Sequence, residues 1–175
     1  MDATLTRSAI REQYGEVPEN HTERTLDPDT YESLQNRIER PWGVGGLVWT
    51  PAAVVLIHED GQWKAPGGRL ERGESPEEGA HREIREETGL TVRIDGLAAI
   101  DRLCHTNEAT NEAFDFHFLM FDCTPASDSL STSPGLADEE IEAVEFHETL
   151  PEETYRRELL FSLLGDRWEA SSESS

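Results

Sequence analysis

Glu83, Glu86 and Glu87 crowd into a five-residue stretch, REIREE counting back to Arg82. At 3.6 residues per turn their side chains fall within an arc of roughly 100° on one helix face. Crowded carboxylates repel, and each like-charge pair three or four residues apart costs a helix about 0.2–0.5 kcal/mol. Arg82 and Arg85 offset part of that cost. A divalent cation would offset more, because clustered carboxylate oxygens are the ligands Mg²⁺ and Mn²⁺ prefer, with retained waters completing an octahedron. Taken alone, the run reads more readily as the solvated face of a helix in an acid-rich chain.

The helix that carries these acids is well delimited. Ser75-Pro76-Glu77-Glu78 places a serine cap, a proline in the first turn and a glutamate three residues after the cap, the pattern of a capping box. Gly89 suits the left-handed residue that closes a helix. The spacing therefore predicts a helix over 76–88. Ala80, Ile84 and Thr88 form an adjoining stripe suited to packing on a sheet.

The whole stretch from Gly68 to Leu90 resembles the Nudix box, G-x5-E-x7-R-E-U-x-E-E-x-G-U with U aliphatic. Gly68, Glu74, Arg82, Glu83, Ile84, Glu86, Glu87, Gly89 and Leu90 fill its nine specified positions. The resemblance implies an α/β (α+β) fold, the family's α/β/α sandwich, with a mixed central sheet and the box as a loop–helix–loop. It also implies Mg²⁺-dependent cleavage of a phosphoanhydride bond in a nucleoside diphosphate linked to another moiety, with Mn²⁺ as a substitute. Suitable substrates are a nucleotide sugar such as ADP-ribose, or a nucleoside triphosphate. Carried over, Glu83, Glu86 and Glu87 would be metal ligands together with the carbonyl of Gly67. Arg82 would orient the acids through a salt bridge with Glu74 or Glu86, while Glu74 serves either in that bridge or at a second metal through water. The general base is either a box acid such as Glu83 or an acid from a distant loop, for which Glu139, Glu140 and Glu112 are the candidates. The alternative is a catalytically silent Nudix-fold module that binds a nucleotide; an intact box argues against it.

Around the box, the chain divides into a polar, helical extension (1–40), a main domain (41–168) and a short frayed tail (169–175). In the extension, Asp27-Pro28-Asp29 signals a helix start, and Tyr31, Leu34 and Ile38 form one apolar stripe that covers the main domain or makes a homodimer contact. Apolar or alternating runs predict strands near 52–58, 62–65, 90–94, 97–105, 113–123 and 142–147, with a turn at Glu59-Asp60-Gly61. Phe114, Phe116, Phe118 and Met120 share one parity while Leu119 and Phe121 take the other, the pattern of a central strand covered on both faces. Residues 124–138 read as a loop. A last helix over 151–164 shows an apolar face of Tyr155, Leu159, Leu160, Leu163 and Leu164.

The chain has 37 acidic and 15 basic residues, a formal net charge of −22, and Lys64 is its only lysine. Such a surface repels nucleic acid and anionic membranes, and it resembles proteins of salt-in halophiles, where salt screens the self-repulsion. No apolar run reaches the length of a membrane span, and the opening residues lack the order of a secretory signal, so a cytoplasmic location is expected. Cys104 and Cys123 fit no disulfide framework and read as small buried residues. The window Cys104–Asn107, where subfamilies are told apart, holds neither the proline associated with ADP-ribose hydrolysis nor the tyrosine associated with dinucleoside polyphosphates. Trp42, Trp49, Trp63 and Phe114 either stack on a base or belong to the core; the core is the more usual place for such residues, and His105 and His117 likewise read as structural.

Overall fold

The computed structural model describes residues 5–38, 40–132 and 140–173. Its elements run α1 (Arg7–Tyr14), β1 (Glu19–Leu26), α2 (Pro28–Arg37), β2 (Trp42–Val48), β3 (Val54–Glu59), β4 (Gln62–Lys64), β5 (Gly67–Arg69), α3 (Pro76–Thr88), β6 (Val92–Asn107), β7 (Ala113–Pro125), β8 (Ile141–His147) and α4 (Arg157–Glu173). Two sheets result. One is mixed, in the order β1-β6-β7-β2-β5; the other, β4-β3-β8, is antiparallel.

The side-chain parity of β7 decides the layering. Leu119, Phe121 and Cys123 join Val44, Val48, Ala80, Ile84 and Ile10 in one buried cluster, so α3 and α1 lie on that face. Met120 joins Leu47, Leu56, Leu160, Leu163 and Leu164 in a second cluster, under α4. β7 is thus a central strand covered on both sides, as its sequence implies, and the expected α/β/α arrangement with a mixed sheet is what forms.

Three strands depart from the sequence expectation. Residues 1–40 are not helical throughout, because Glu19–Leu26 (ENHTERTL) pairs in parallel with β6 at the sheet edge. Its side chains are largely exposed, so no apolar alternation betrays it. The other two, β2 (WGVGGLV) and β5 (GGR), are glycine-rich, and glycine weakens strands unless backbones approach closely. Here they do: a Cβ at Gly45 would lie 2.3 Å from the Pro66 carbonyl oxygen, and one at Gly46 would lie 2.6 Å from Ile84 Cδ1.

Smaller differences have local causes. The two runs expected at 90–94 and 97–105 form one strand, β6, with register shifts at Ile94/Gly96 and Leu97/Ala99, and Gly96 takes φ 153°. The Asp60-Gly61 turn has positive φ at both residues, the geometry of a tight hairpin turn. The last helix begins at Arg157 rather than 151, because Trp63 N–H donates to the Glu153 carbonyl and Tyr155 N–H to the Trp63 carbonyl, holding 151–156 as an irregular bridge. It continues to Glu173, so the stretch expected to fray is helical that far; Ser174 and Ser175 lie outside the described residues.

Candidate active site

α3 has the boundaries its caps dictate. Ser75 Oγ accepts from the Glu78 N–H at 3.2 Å, Glu78 Oε2 accepts from the Ser75 N–H at 3.3 Å, and Gly89 closes the helix at φ 80°. Ala80 and Ile84 are fully buried against the sheet, and this fixes the rotation of the helix. The same rotation carries two acids inward: Glu83 is 9 % exposed and Glu87 only 3 %. Buried carboxylates need hydrogen-bond donors or a cation, since isolation from water costs an ion several kcal/mol.

The donors to them include the backbone of β5 and one guanidinium. Gly67 N–H donates to Glu87 Oε1 at 2.6 Å. Gly68 faces the Glu83 carboxylate, and a Cβ there would sit 2.6 Å from Cδ and from both oxygens. Arg82 forms a fork on Glu74, with Nε to Oε2 at 2.6 Å and Nη2 to Oε1 at 2.9 Å. Its Nη1 donates to Glu83 Oε1 at 2.8 Å and reaches Glu86 Oε2 at 3.4 Å, while Nη2 also donates to the Arg69 carbonyl at 3.1 Å. Arg82 thus bridges both acids named for it in the sequence, Glu74 and Glu86. The Arg82 hydrogen bond holds the Glu74 carboxyl below the usual carboxylate range, against the opposing effect of burial.

Glu83 and Glu86 therefore share one guanidinium nitrogen, while Glu87 turns to the backbone. Among the described residues, no three His, Cys, Asp or Glu side chains lie together in an arrangement that would hold a metal ion as they stand. The donor set nevertheless suits a hard divalent ion: carboxylate oxygens on one helix face, two of them buried, beside a glycine pair whose missing side chains leave the backbone open to them.

Two cavities reach this region. One, of about 210 Å³, adjoins Gly67 and is walled by Leu103, Phe116, Phe118 and Met120, with Asp101, Tyr155 and Arg156 at its polar margin. Arg156 Nε donates to Asp101 Oδ2 at 2.8 Å and Nη1 to Thr22 Oγ1 at 3.0 Å, while Nη2 is buried with no hydrogen-bond partner among the described residues. The other cavity, of about 390 Å³, adjoins Glu83 and is lined by Arg37, Arg40, Arg69 and Arg72.

The remaining residues singled out in the sequence lie elsewhere. Glu140 is exposed immediately before β8 and lines neither cavity. Glu112 is exposed in the turn between β6 and β7, and Glu139 lies outside the described residues. Trp42 stacks on His117, Trp49 Nε1 donates to Asp122, Trp63 packs against His58 and His147, and Phe114 meets Tyr31. None of these four aromatics walls the apolar cavity; Phe116 and Phe118, two and four positions on from Phe114 in the same parity, do. The contact of Tyr31 with Phe114 shows that the α2 stripe covers the main domain at that residue. Cys104 and Cys123 are free, and burial pushes the Cys123 thiol up to about 12.

Comparison with known proteins bears on the family and the fold. A "MutT-like protein" of Streptomyces ambofaciens is 36 % identical over 92 residues, covering 46 % of this chain and 54 % of the relative, so the chain spans about half the length of that curated relative. A Nudix-family hydrolase from Clostridium perfringens superimposes with a TM-score of 0.53 at 19 % identity, over 73 % of this chain and 96 % of that one. A MutT Nudix hydrolase from Burkholderia pseudomallei does so with a TM-score of 0.50 at 22 % identity, over 70 % and 96 %. These two structures share the fold. The family model for the NUDIX domain matches residues 39–160, well over half of the sequence, and the chain belongs to the Nudix family.

Proposed function

We propose that the chain hydrolyses the phosphoanhydride bond of a nucleoside diphosphate linked to a further group, with Mg²⁺ as cofactor and Mn²⁺ as a substitute. The observation that carries this reading is the seating of two buried carboxylates, Glu83 and Glu87, against the glycine pair of β5. Glu83, Glu86 and Glu87, with the Gly67 carbonyl, would hold the ion. Bound there, it would neutralise charge on the phosphate oxygens and lower the pKa of the attacking water.

The chain's own residues do the rest. Arg82 keeps Glu83 and Glu86 aimed together and pins the loop through Glu74 and the Arg69 carbonyl. The apolar cavity beside Gly67 takes the nucleoside, with Phe116, Phe118 and Tyr155 offering aromatic surface. Water adds to one phosphorus, the bridging oxygen leaves with the other phosphate, and a carboxylate accepts the water's proton, a contribution of about 10²–10⁴-fold. Glu83 is the base this geometry favours, because Glu140 lines neither cavity. The acid-rich surface supports a cytoplasmic setting of high salt, with a small nucleotide rather than a polymer as the ligand.

The test is phosphate release from a panel of nucleotide sugars, including ADP-ribose, and nucleoside triphosphates, at high salt with and without Mg²⁺. Metal-dependent turnover that is lost in Glu83→Gln supports the reading. Tight nucleotide binding without turnover of any panel member overturns it in favour of a silent binding module.

A further inference from the structure

Arginine is scarce relative to acid in this chain, yet four guanidinium-bearing residues line one cavity. Arg37 ends α2, Arg40 follows it, Arg69 ends β5 and Arg72 lies in the loop before α3. Two of them fix the cavity's shape: Arg69 Nη1 donates to the Arg37 carbonyl at 3.0 Å, and Arg40 Nη1 to the Glu71 carbonyl at 2.6 Å. None of the four has a carboxylate within salt-bridge distance among the described residues. Arg24, Arg85 and Arg157 share that condition, but only these four unpaired arginines line one cavity together, while Arg7, Arg11, Arg82, Arg93, Arg102, Arg156 and Arg167 are paired. The two acids in the lining, Glu71 and Glu83, both face Arg82, at 3.7 and 2.8 Å.

Four like charges around one space repel each other, and a chain carrying −22 has acids enough to pair them. Left unpaired at one wall of the carboxylate site, they form a receptor for a compact, multiply charged anion. A nucleic-acid strand or an anionic membrane does not fit, because the rest of the surface repels an extended polyanion.

We propose that this arginine pocket binds phosphate beyond the scissile diphosphate, so that the substrate is a nucleoside tri- or polyphosphate rather than a nucleotide sugar, whose group beyond the diphosphate is uncharged. The assignment rests on the hydrolase reading for its position beside Glu83, but not for its test. Arg37 and Arg72 are both exposed, so neutralising them leaves the core intact.

The probe is inorganic tripolyphosphate, titrated calorimetrically into the full chain in EDTA at fixed ionic strength, against orthophosphate. Tripolyphosphate should bind at least tenfold more tightly than orthophosphate. Arg37→Gln/Arg72→Gln should weaken it at least tenfold, while Arg24→Gln/Arg157→Gln, which removes the same charge elsewhere, should change it less than threefold. Equal weakening by both double variants, or no preference for tripolyphosphate, overturns the proposal. With Mg²⁺, Arg37→Gln/Arg72→Gln should raise KM for a nucleoside triphosphate at least tenfold more than KM for ADP-ribose; an equal rise overturns it too. If no nucleotide turns over at all, the hydrolase reading fails while the tripolyphosphate titration still decides the pocket.

Discussion

Gly68 lies so close to Glu83 that a methyl group on its α-carbon would sit 2.6 Å from the carboxylate. That is inside contact distance, and the buried acid has little room to retreat. Gly68→Ala should therefore displace the Glu83 carboxylate by about an ångström and lower kcat/KM at least about 100-fold. Thermal melting should show a folded protein. Full activity in this variant would mean that the seat of Glu83 does not matter to turnover.

Arg82 pairs with four carboxylates, those of Glu71, Glu74, Glu83 and Glu86, and its side chain is 23 % exposed. Replacing it with lysine keeps the charge but removes the two-pronged contact with Glu74. Arg82→Gln should cost about 2–4 kcal/mol in urea unfolding, because Glu74 and Glu83 lose their cation. Arg82→Lys should recover only part of that. Complete recovery by lysine would show that charge alone, not the planar fork, sets the loop.

Glu74 gives the arrangement an acid limit. Its folded pKa is below the ordinary 4.5, chiefly through the Arg82 hydrogen bond, so its stabilisation is fully present above pH 4.5. It is lost as pH falls below 4.5 through the folded value. Glu74→Gln should be less stable than the parent at pH 7, and the gap should close toward pH 3. A gap that stays constant with pH would show that the ion pair is not its source.

His117 sets a second dependence, at higher pH. It stacks on Trp42 at 4.7 Å, its Nε2 is buried without a hydrogen-bond partner among the described residues, and burial lowers its pKa below the ordinary 6.5. Asp115 and Glu19 oppose that shift, while Arg7 and Arg102 reinforce it. The unfolded chain takes up its proton as pH falls through 6.5 and the folded chain resists, so stability declines below pH 6.5. His117→Phe should reduce the loss of stability between pH 7.5 and 5.5. It should not abolish it, because His105 and His147 are shifted downward for the same reason.

Ile10 is 1 % exposed and belongs to the cluster beneath α3. Ile10→Ala should therefore cost about 2–4 kcal/mol, as for any core truncation. A cost below about 0.5 kcal/mol would show that α1 is an appendage the domain does without.

What the sequence discloses and what it hides follow one rule. α3 is legible to the residue because Ser75, Pro76, Glu78 and Gly89 act on their own backbone neighbourhood. The strand β7 is legible because both of its faces are apolar. By contrast, β1, β2 and β5 are hidden, since their pairing is decided by distant partners: Glu19 by Ile100, and Gly67 by Gly45. The acids of the site are visible as a local pattern, whereas Phe116 and Phe118 of β7 meet Tyr155 of the irregular 151–156 bridge only through tertiary packing. The arginine pocket is hidden for the same reason, as Arg37 and Arg72 lie far apart along the chain.

The added strand β1 also changes how two such molecules meet. Without it, β6 would offer a long row of unsatisfied amides to any neighbouring chain. β1 occupies that row and presents instead a rim bearing Glu19, Glu23 and Arg24. β1 is now the edge of the sheet itself, and because an edge strand bearing charged side chains is a poor template for a further strand, the N-terminal segment should disfavour edge-to-edge association.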